Sequence, residues 1–204
     1  MEVGFKHNKA RKPEPVRIEQ VFAEKPGGGL VANPDYDVPP TSAVGYDAAT
    51  GLYKPIKCYK LVASVASSDT TIKIAKGSGV AKNDIIAHGK IGVKCTKVDD
   101  SNDSYDVVTV TLGVDINIET EDPWLYQSKV VSSAAVPASG DDPAVDAVDA
   151  EPLYKPEYIT GKTDWVYAGE GDQSVKLING ANVRKETANI SAEIAALLPT
   201  IKRV

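Results

Sequence analysis

Short runs in which apolar and polar residues alternate are the feature that most constrains the fold of this chain. Three runs place apolar side chains at every second position: Thr71–Ala75, 91–95 and 108–112. A period of two residues indicates half-buried β-strands, whose successive side chains point to opposite faces. Turn-forming stretches such as His88-Gly89 lie between the runs. The segment 53–129 is therefore predicted to be a compact all-β domain, either a small barrel or a sandwich. We expect the rings of Trp124 and Tyr126 in its core.

The C-terminal segment, 153–204, is predicted to be β-rich with one short helix near 188–198. The helix pattern places four apolar residues on one face, and Pro199 ends it: Ile190, Ile194, Leu197 and Leu198. This face is the expected subunit contact. Residues 174–178 read as a strand, Asn179-Gly180 as a turn, and 200–204 as an edge strand.

The N-terminal segment, 1–52, is predicted to be an extended docking arm. Six prolines lie at positions 13 to 40, and Gly27, Gly28 and Gly29 are consecutive. Both features oppose long strand pairing. Apolar side chains on such an arm need a surface to bury against, either on a neighbouring protein or on the chain's own body. The residues expected to dock on a neighbouring subunit or another protein are the two phenylalanines and a basic cluster: Phe5, Lys6, Lys9, Arg11, Lys12 and Phe22.

Residues 130–152 contain five acidic residues and no basic residue between Lys129 and Lys155. Three prolines and several Ala and Ser residues accompany them. This composition predicts an acidic linker or long surface loop that separates the two β-rich segments.

Composition argues against most catalytic chemistry. The chain has two His, two Cys and two Trp residues, and its net charge is −5. Gly161-Lys162-Thr163 ends like a phosphate-binding loop, but Pro156 occupies the position of that loop's first glycine. We expect no enzyme activity, metal or cofactor, although two carboxylates would suffice for a hydrolase. The acidic balance predicts no nucleic-acid partner.

No apolar run approaches the roughly 18 residues that span a bilayer, and the first residues lack the apolar core of a signal peptide. We therefore expect no membrane partner and no passage through a secretory pathway. Cys58 and Cys95 are interpreted as two reduced thiols, with a disulfide as the alternative.

Several stretches together resemble one family: 49–55 (ATGLYKP), 69–77 (DTTIKIAKG), 105–110 (YDVVTV) and 195–201 (AALLPTI). They are similar to the head fibre proteins of tailed bacteriophages, notably phages of gut Bacteroidales. The end of the chain resembles more loosely the lambda-type head decoration proteins, which sit as trimers on capsids.

The resemblance implies a structural protein on the exterior of a phage head, made in the host bacterium. Its expected partners are the major capsid protein, its own copies in a homotrimer, and other capsid accessory proteins or a host surface glycan. The alternative hypothesis is a carbohydrate- or cell-surface-binding module of a virion. Its candidate stacking residues cluster in a segment of weak periodicity: Tyr158, Trp165 and Tyr167. For Trp165, a core position is the competing interpretation.

Overall fold

The alternating runs of the sequence become strands that collect in two sheets. A computed structural model describes residues 15–111, 113–135, 137–140, 144 and 146–204. Its elements are, in chain order, β1 (Ile18–Glu24), β2 (Gly29–Val31), β3 (Ala43–Asp47), β4 (Leu52–Pro55), β5 (Cys58–Lys60), β6 (Thr71–Ala75), β7 (Ile85–His88), β8 (Ile91–Asp99), β9 (Tyr105–Val110), β10 (Trp124–Ser128), β11 (Tyr158–Thr160), β12 (Gln173–Val175), β13 (Leu177–Val183), α1 (Ala192–Ala196) and β14 (Ile201–Arg203). The mainly-β prediction with one short C-terminal helix is confirmed.

The small barrel consists of the six strands from β5 to β10, in the order β5-β10-β7-β8-β9-β6. A bridge between Leu61 and Ile74 connects the two ends of this order, so the sheet closes on itself. Apolar side chains from every strand fill the interior. Ile72, Ile74 and Val108 are fully buried, as the period of two predicts. Leu112 of the third predicted run lies outside the described residues.

The large sheet consists of the other eight strands, with β14 beside β13 and the rest in the order β1-β13-β11-β3-β4-β2-β12. Only Lys176 separates β12 from β13 along the chain. β12 lies at one end of the strand order and β13 is second from the other end, so the sheet must bend to bring these two strands close together. A second apolar cluster, which includes Val31, Val44, Tyr53 and Leu177, packs within this bend.

A third apolar cluster joins the two sheets into one structure. It combines Ile159 and Ile178 of the large sheet with Trp124 and Tyr126 of the small barrel, and α1 and its flanks pack into it through Ile194. An ion pair reinforces the junction, because Arg203 of β14 donates two hydrogen bonds to Asp122, at 2.6 and 2.8 Å. Both side chains of this pair are largely buried. The two sheets are therefore held in a fixed relative orientation.

Part of the predicted arm belongs to the large sheet. Ile18–Glu24, Gly29–Val31 and Ala43–Asp47 are strands, and β1 pairs with β13 along its whole length. The prolines permit this because none occurs between Pro15 and Pro26. The extended-arm prediction for 1–52 is thus corrected from Ile18 onward.

Two local predictions in the C-terminal segment are also corrected. Asn179-Gly180 is not a turn but part of β13, where Gly180 faces Ala23 of β1. A Cβ at Gly180 would lie 3.2 Å from the Cβ of Ala23, so the glycine permits a close approach of strands. The helix is shorter than predicted because Ser191 caps it, accepting a hydrogen bond from the Ile194 amide. The predicted edge strand is confirmed as β14, which pairs parallel to β13.

The predicted acidic loop folds back on the small barrel. Isolated bridges join Ser133 to Val148 and Ser128 to Pro152. Two of its carboxylates form ion pairs, Asp149 with Lys90 and Glu151 with Lys129. Asp141 and Asp142 lie outside the described residues. Within the part of the chain that is described, no helix is long and apolar enough to cross a membrane.

Candidate functional site

A cleft of about 390 Å³ lies where the small barrel meets the large sheet. The barrel contributes Lys60 and Trp124, together with the loop that follows β6. The large-sheet side contributes Arg17, Asp37 and Trp165. Both tryptophans of the chain line this inter-sheet cleft, although they are 41 positions apart.

Trp124 is held rigidly in the cleft wall. Its indole N–H donates to the carbonyl oxygen of Lys185 at 3.0 Å, which satisfies its only donor. The Lys60 ammonium lies 5.6 Å from the ring centroid, at cation–π distance, and donates to the carbonyl oxygen of Glu186 at 2.9 Å. Trp124 is buried as predicted, with only 6% of the residue exposed, but it lies in the cluster that joins the two sheets and not in the barrel interior.

Trp165 forms the opposite aromatic element and is half-buried. The guanidinium carbon of Arg17 lies 5.9 Å from its ring centroid. Tyr167 stacks beside it, with centroids 6.3 Å apart and ring planes 15° from parallel. The cleft thus has one tryptophan from β10 of the barrel and one from the segment between β11 and β12, with a cationic side chain beside each one.

The polar groups of the cleft differ in whether they have hydrogen-bond partners. Lys76 donates to a carboxylate oxygen of Asp106 and to the carbonyl of Asp100, both at 2.6 Å. Asp37 accepts a hydrogen bond from the Ala168 amide. The hydroxyl of Ser78 is buried and has no hydrogen-bond partner among the residues described.

A second polar cluster surrounds Asp84 at the entrance to the small barrel. Its carboxylate accepts hydrogen bonds from the hydroxyl of Tyr59 at 3.0 Å and from the Ala81 amide. Lys57, only 6% exposed, lies 3.3 Å from both Asp84 and Asp35. Burial, followed by the Asp84 charge, raises the pKa of Tyr59 well above its ordinary value. This cluster is satisfied internally, as a structural anchor requires.

The described ranges contain no assembled metal site, because no three His, Cys, Asp or Glu side chains converge there. Cys58 and Cys95 are both free and buried, so the disulfide alternative is wrong. His88 ends β7 and precedes the turn at Gly89, close to its predicted place.

The predicted docking residues divide into two groups. Phe5, Lys6, Lys9, Arg11 and Lys12 lie outside the described residues. Phe22 lies on β1 and is 54% exposed. The second interpretation of the phenylalanines, burial on the chain's own body, is therefore wrong for Phe22.

The predicted subunit contact is corrected for three of its four residues. Ile190 and Ile194 are fully buried, and Leu198 is 5% exposed, all within the cluster that joins the sheets. The apolar face exists, but it packs against the chain's own strands. Leu197, which is 52% exposed, is the remaining member that another subunit can reach.

The three predicted stacking residues do not form one group. Trp165 and Tyr167 are neighbours at the cleft. Tyr158 instead packs edge-on against Tyr53, with centroids 5.7 Å apart, at the large-sheet core. Arg17, Lys60 and Trp124 were not predicted as site residues. The scarcity of tryptophan was a sequence signal for Trp124, but none pointed to Arg17 or Lys60.

No family model, no curated protein and no solved structure matches this chain.

Proposed function

We propose that this chain is a non-enzymatic structural protein of a phage head, a head fibre or decoration protein bound to the outer capsid surface. The N-terminal segment and β1 contact the major capsid protein, and the small barrel and the rest of the large sheet face outward. The observation that supports this proposal is the exposure of β1 on both faces.

Strands that pack on their own chain bury every second residue, as β9 does. In β1, Ile18 is buried and the six residues after it are exposed. β1 is also an edge strand of the described sheet, since β13 is its partner on one side and no described strand pairs with its other side. Val21 and Phe22 therefore present apolar surface beside an unpaired strand edge, an arrangement that favours addition of a partner.

The distribution of charge along the chain supports the same orientation on the capsid. The chain carries a net charge of −5, whereas residues 6–12 contain four Lys and Arg residues. A basic segment directly before an exposed apolar strand combines electrostatic attraction with apolar burial at one end of the molecule. By analogy with decoration proteins, the assembled state is a homotrimer, and the protein is made in the bacterial host.

Capsid binding tests the proposal. Capsids of the encoding phage, assembled without this protein, are mixed with the full chain, with a variant lacking residues 1–14, and with Phe22→Ser. We expect both variants to bind more weakly. The matched control is Leu30→Ser, which changes a residue 44% exposed on β2. Equal binding by all four proteins, or absence of the protein from purified particles, would contradict the proposal.

The second candidate function is binding to a host surface glycan. The stacked Trp165–Tyr167 pair supports it, because Tyr167 is 41% exposed and aromatic faces bind sugar rings. A glycan array tests this function with the full chain and a Tyr167→Ala variant. An array without signal would remove it.

A further inference from the structure

We propose that Lys57 and Asp84 form an intramolecular isopeptide bond, with Asp35 carrying the proton that must leave the amine. The bond is a self-catalysed modification of the folded chain and needs no co-reactant. Lys57 directly precedes β5 and Asp84 directly precedes β7, so the bond links these two strands across β10, which lies between them. The inference goes beyond the proposed function and holds whether or not β1 docks on a capsid.

The three reacting groups meet at one nitrogen atom. Nζ of Lys57 lies 3.3 Å from Oδ2 of Asp84 and 3.3 Å from Oδ2 of Asp35. The carbon to be attacked is bonded to the first of these oxygens, so the amine and the carboxyl group are already in contact. Well-oriented groups within one molecule reach effective concentrations of roughly 10⁵–10⁸ M. Such proximity offsets the tendency of water to hydrolyse an amide.

The reacting pair is sheltered from water. The side chain of Lys57 is 7% exposed and that of Asp84 is 13% exposed. The ring of Tyr36 lies beside the ammonium, with its centroid 5.3 Å from Nζ. Two charges at such a site carry a desolvation penalty. An amide removes both charges, so the burial that disfavours the ion pair favours the condensed product.

Exposure distinguishes the roles of the two carboxylates. The side chain of Asp35 is 71% exposed, which suits a group that takes up and returns a proton. Asp84 is the buried acceptor, and both of its oxygens receive hydrogen bonds. The Tyr59 hydroxyl donates to Oδ2 at 3.0 Å, and the Gln127 amide donates to Oδ1 at 3.3 Å. The donor on Oδ1 stabilises the negative charge that develops there during the attack.

The step is a condensation that conserves atoms and charge. The Lys57 ammonium gives one proton to Asp35, and the freed lone pair of Nζ attacks Cγ of Asp84. A C–N bond forms. Oδ2 takes the proton back from Asp35 and a second proton from the nitrogen, and it leaves as water with the electron pair of its C–O bond. One ammonium and one carboxylate thus become a neutral amide and one water molecule, and nothing is oxidised or reduced.

Mass spectrometry of the denatured full chain tests the proposal. We expect a mass lower than that of the sequence by one water molecule. After tryptic digestion, the peptides that contain Lys57 and Asp84 should appear as one branched species. An unbranched Lys57 peptide in full yield, or a branch at Asp35 in place of Asp84, would overturn the proposal. This measurement uses the unmodified sequence, so it does not depend on whether a variant folds.

A matched pair of variants tests the assignment of the lysine. Lys57→Met should retain the full mass. The control is Lys76→Met, because Lys76 also forms an ion pair with an aspartate, Asp106, at a shorter 2.6 Å. Lys76 is more exposed, and within the described chain only one carboxylate lies at ion-pair distance from it. Lys76→Met should therefore lose water as the unmodified chain does, and water loss that persists in Lys57→Met would overturn the assignment.

The role of Asp35 is tested by the rate of the reaction. Asp35→Asn keeps the shape of the side chain but cannot carry the proton. Mass spectra taken at intervals during cell-free synthesis give the rate of water loss. We expect Asp35→Asn to slow it by about a hundredfold and Asp35→Glu to restore part of the rate. Equal rates in the unmodified chain and in Asp35→Asn would overturn the proposed proton transfer.

Discussion

Leu61 and Ile74 pair across the bridge that joins the two ends of the six-stranded sheet. Both are buried inside the barrel, at 2% and 0% exposure. The bridge is continued by a hydrogen bond from the Val62 amide to the Lys73 carbonyl. Closure removes the free strand edges that an open sheet of this size would present.

The first prediction concerns this closure. Ile74→Ala should lower the free energy of unfolding by about 2–5 kcal/mol, because it leaves a cavity where the sheet closes. Ile91→Ala is the control, since Ile91 is 41% exposed, and it should change stability by no more than about 0.5 kcal/mol. Urea unfolding measures both. Equal losses in the two variants would contradict the closed barrel.

The second prediction concerns the contact between Gly79 and Tyr36. A Cβ at Gly79 would lie 2.2 Å from Cγ of the Tyr36 ring, whereas a Cβ at Gly77 meets nothing within 4 Å. Both glycines have positive φ, at +68° and +77°. Alanine at either position should cost about 1–2 kcal/mol for its backbone. Gly79→Ala should cost a further 1–3 kcal/mol or so for overpacking.

A double-mutant cycle isolates this contact. In a Tyr36→Ala background, Gly79→Ala should lose its excess cost and resemble Gly77→Ala. An excess cost that persists without the ring would show that Tyr36 is not the obstacle.

The third prediction is a loss of stability at high pH. Burial raises the pKa of Tyr126 from about 10 to about 12, and its hydroxyl donates to the carbonyls of Gly89 and Ala150. A raised folded-state pKa gives stability that is complete below pH 10 and is lost as pH rises toward 12. The free energy of unfolding should therefore fall over this window.

Urea unfolding between pH 8 and 11 measures the loss. Tyr126→Phe should make the decline shallower without abolishing it, because burial also raises the pKa of Tyr59. Tyr46→Phe, at a position 47% exposed, should retain the slope of the unmodified chain. Identical slopes in all three proteins would refute the role of Tyr126.

The fourth prediction concerns thiol reactivity. Burial raises the pKa of Cys58 to about 12 and also raises that of Cys95. Because the thiolate is the reactive form, both cysteines should resist Ellman's reagent at pH 8 in the folded protein. Two thiols per chain should react after denaturation. Fast reaction of a thiol in the folded protein, or fewer than two after denaturation, would be the contrary result.

Local pattern predicted the strands but not their partners. Ile72 and Ile74 were recognised because alternation is visible within five residues. The pairing of Ile18 with Val183 leaves no such trace, since the partners are 165 positions apart. Ile190 and Ile194 show the same limit, because a pattern identifies the apolar face of a helix but not the surface that covers it.

The candidate cleft was predictable only in part, for the same reason. Trp165 and Tyr167 are near neighbours in sequence, so the sequence alone could predict that their side chains lie together. Arg17, Lys60 and Trp124 meet through the packing of two sheets, and nothing beside each residue signals the others. Trp124 was assigned to the core, and it is both buried and part of the cleft wall.

The interruption of the large sheet by the small barrel affects the order in which the chain folds during synthesis. All six barrel strands are present once Ser128 has left the ribosome, whereas β11 to β14 of the large sheet follow later. β1 must therefore wait for β13, with its backbone hydrogen-bonding groups unpaired and Ile18 uncovered in the interval. Long-range pairing of this kind is slow and prone to aggregation. Pairing of β5 with β10 in the barrel brings β4 and the chain that leads to β11 close together, which leaves shorter loops for the large sheet to close.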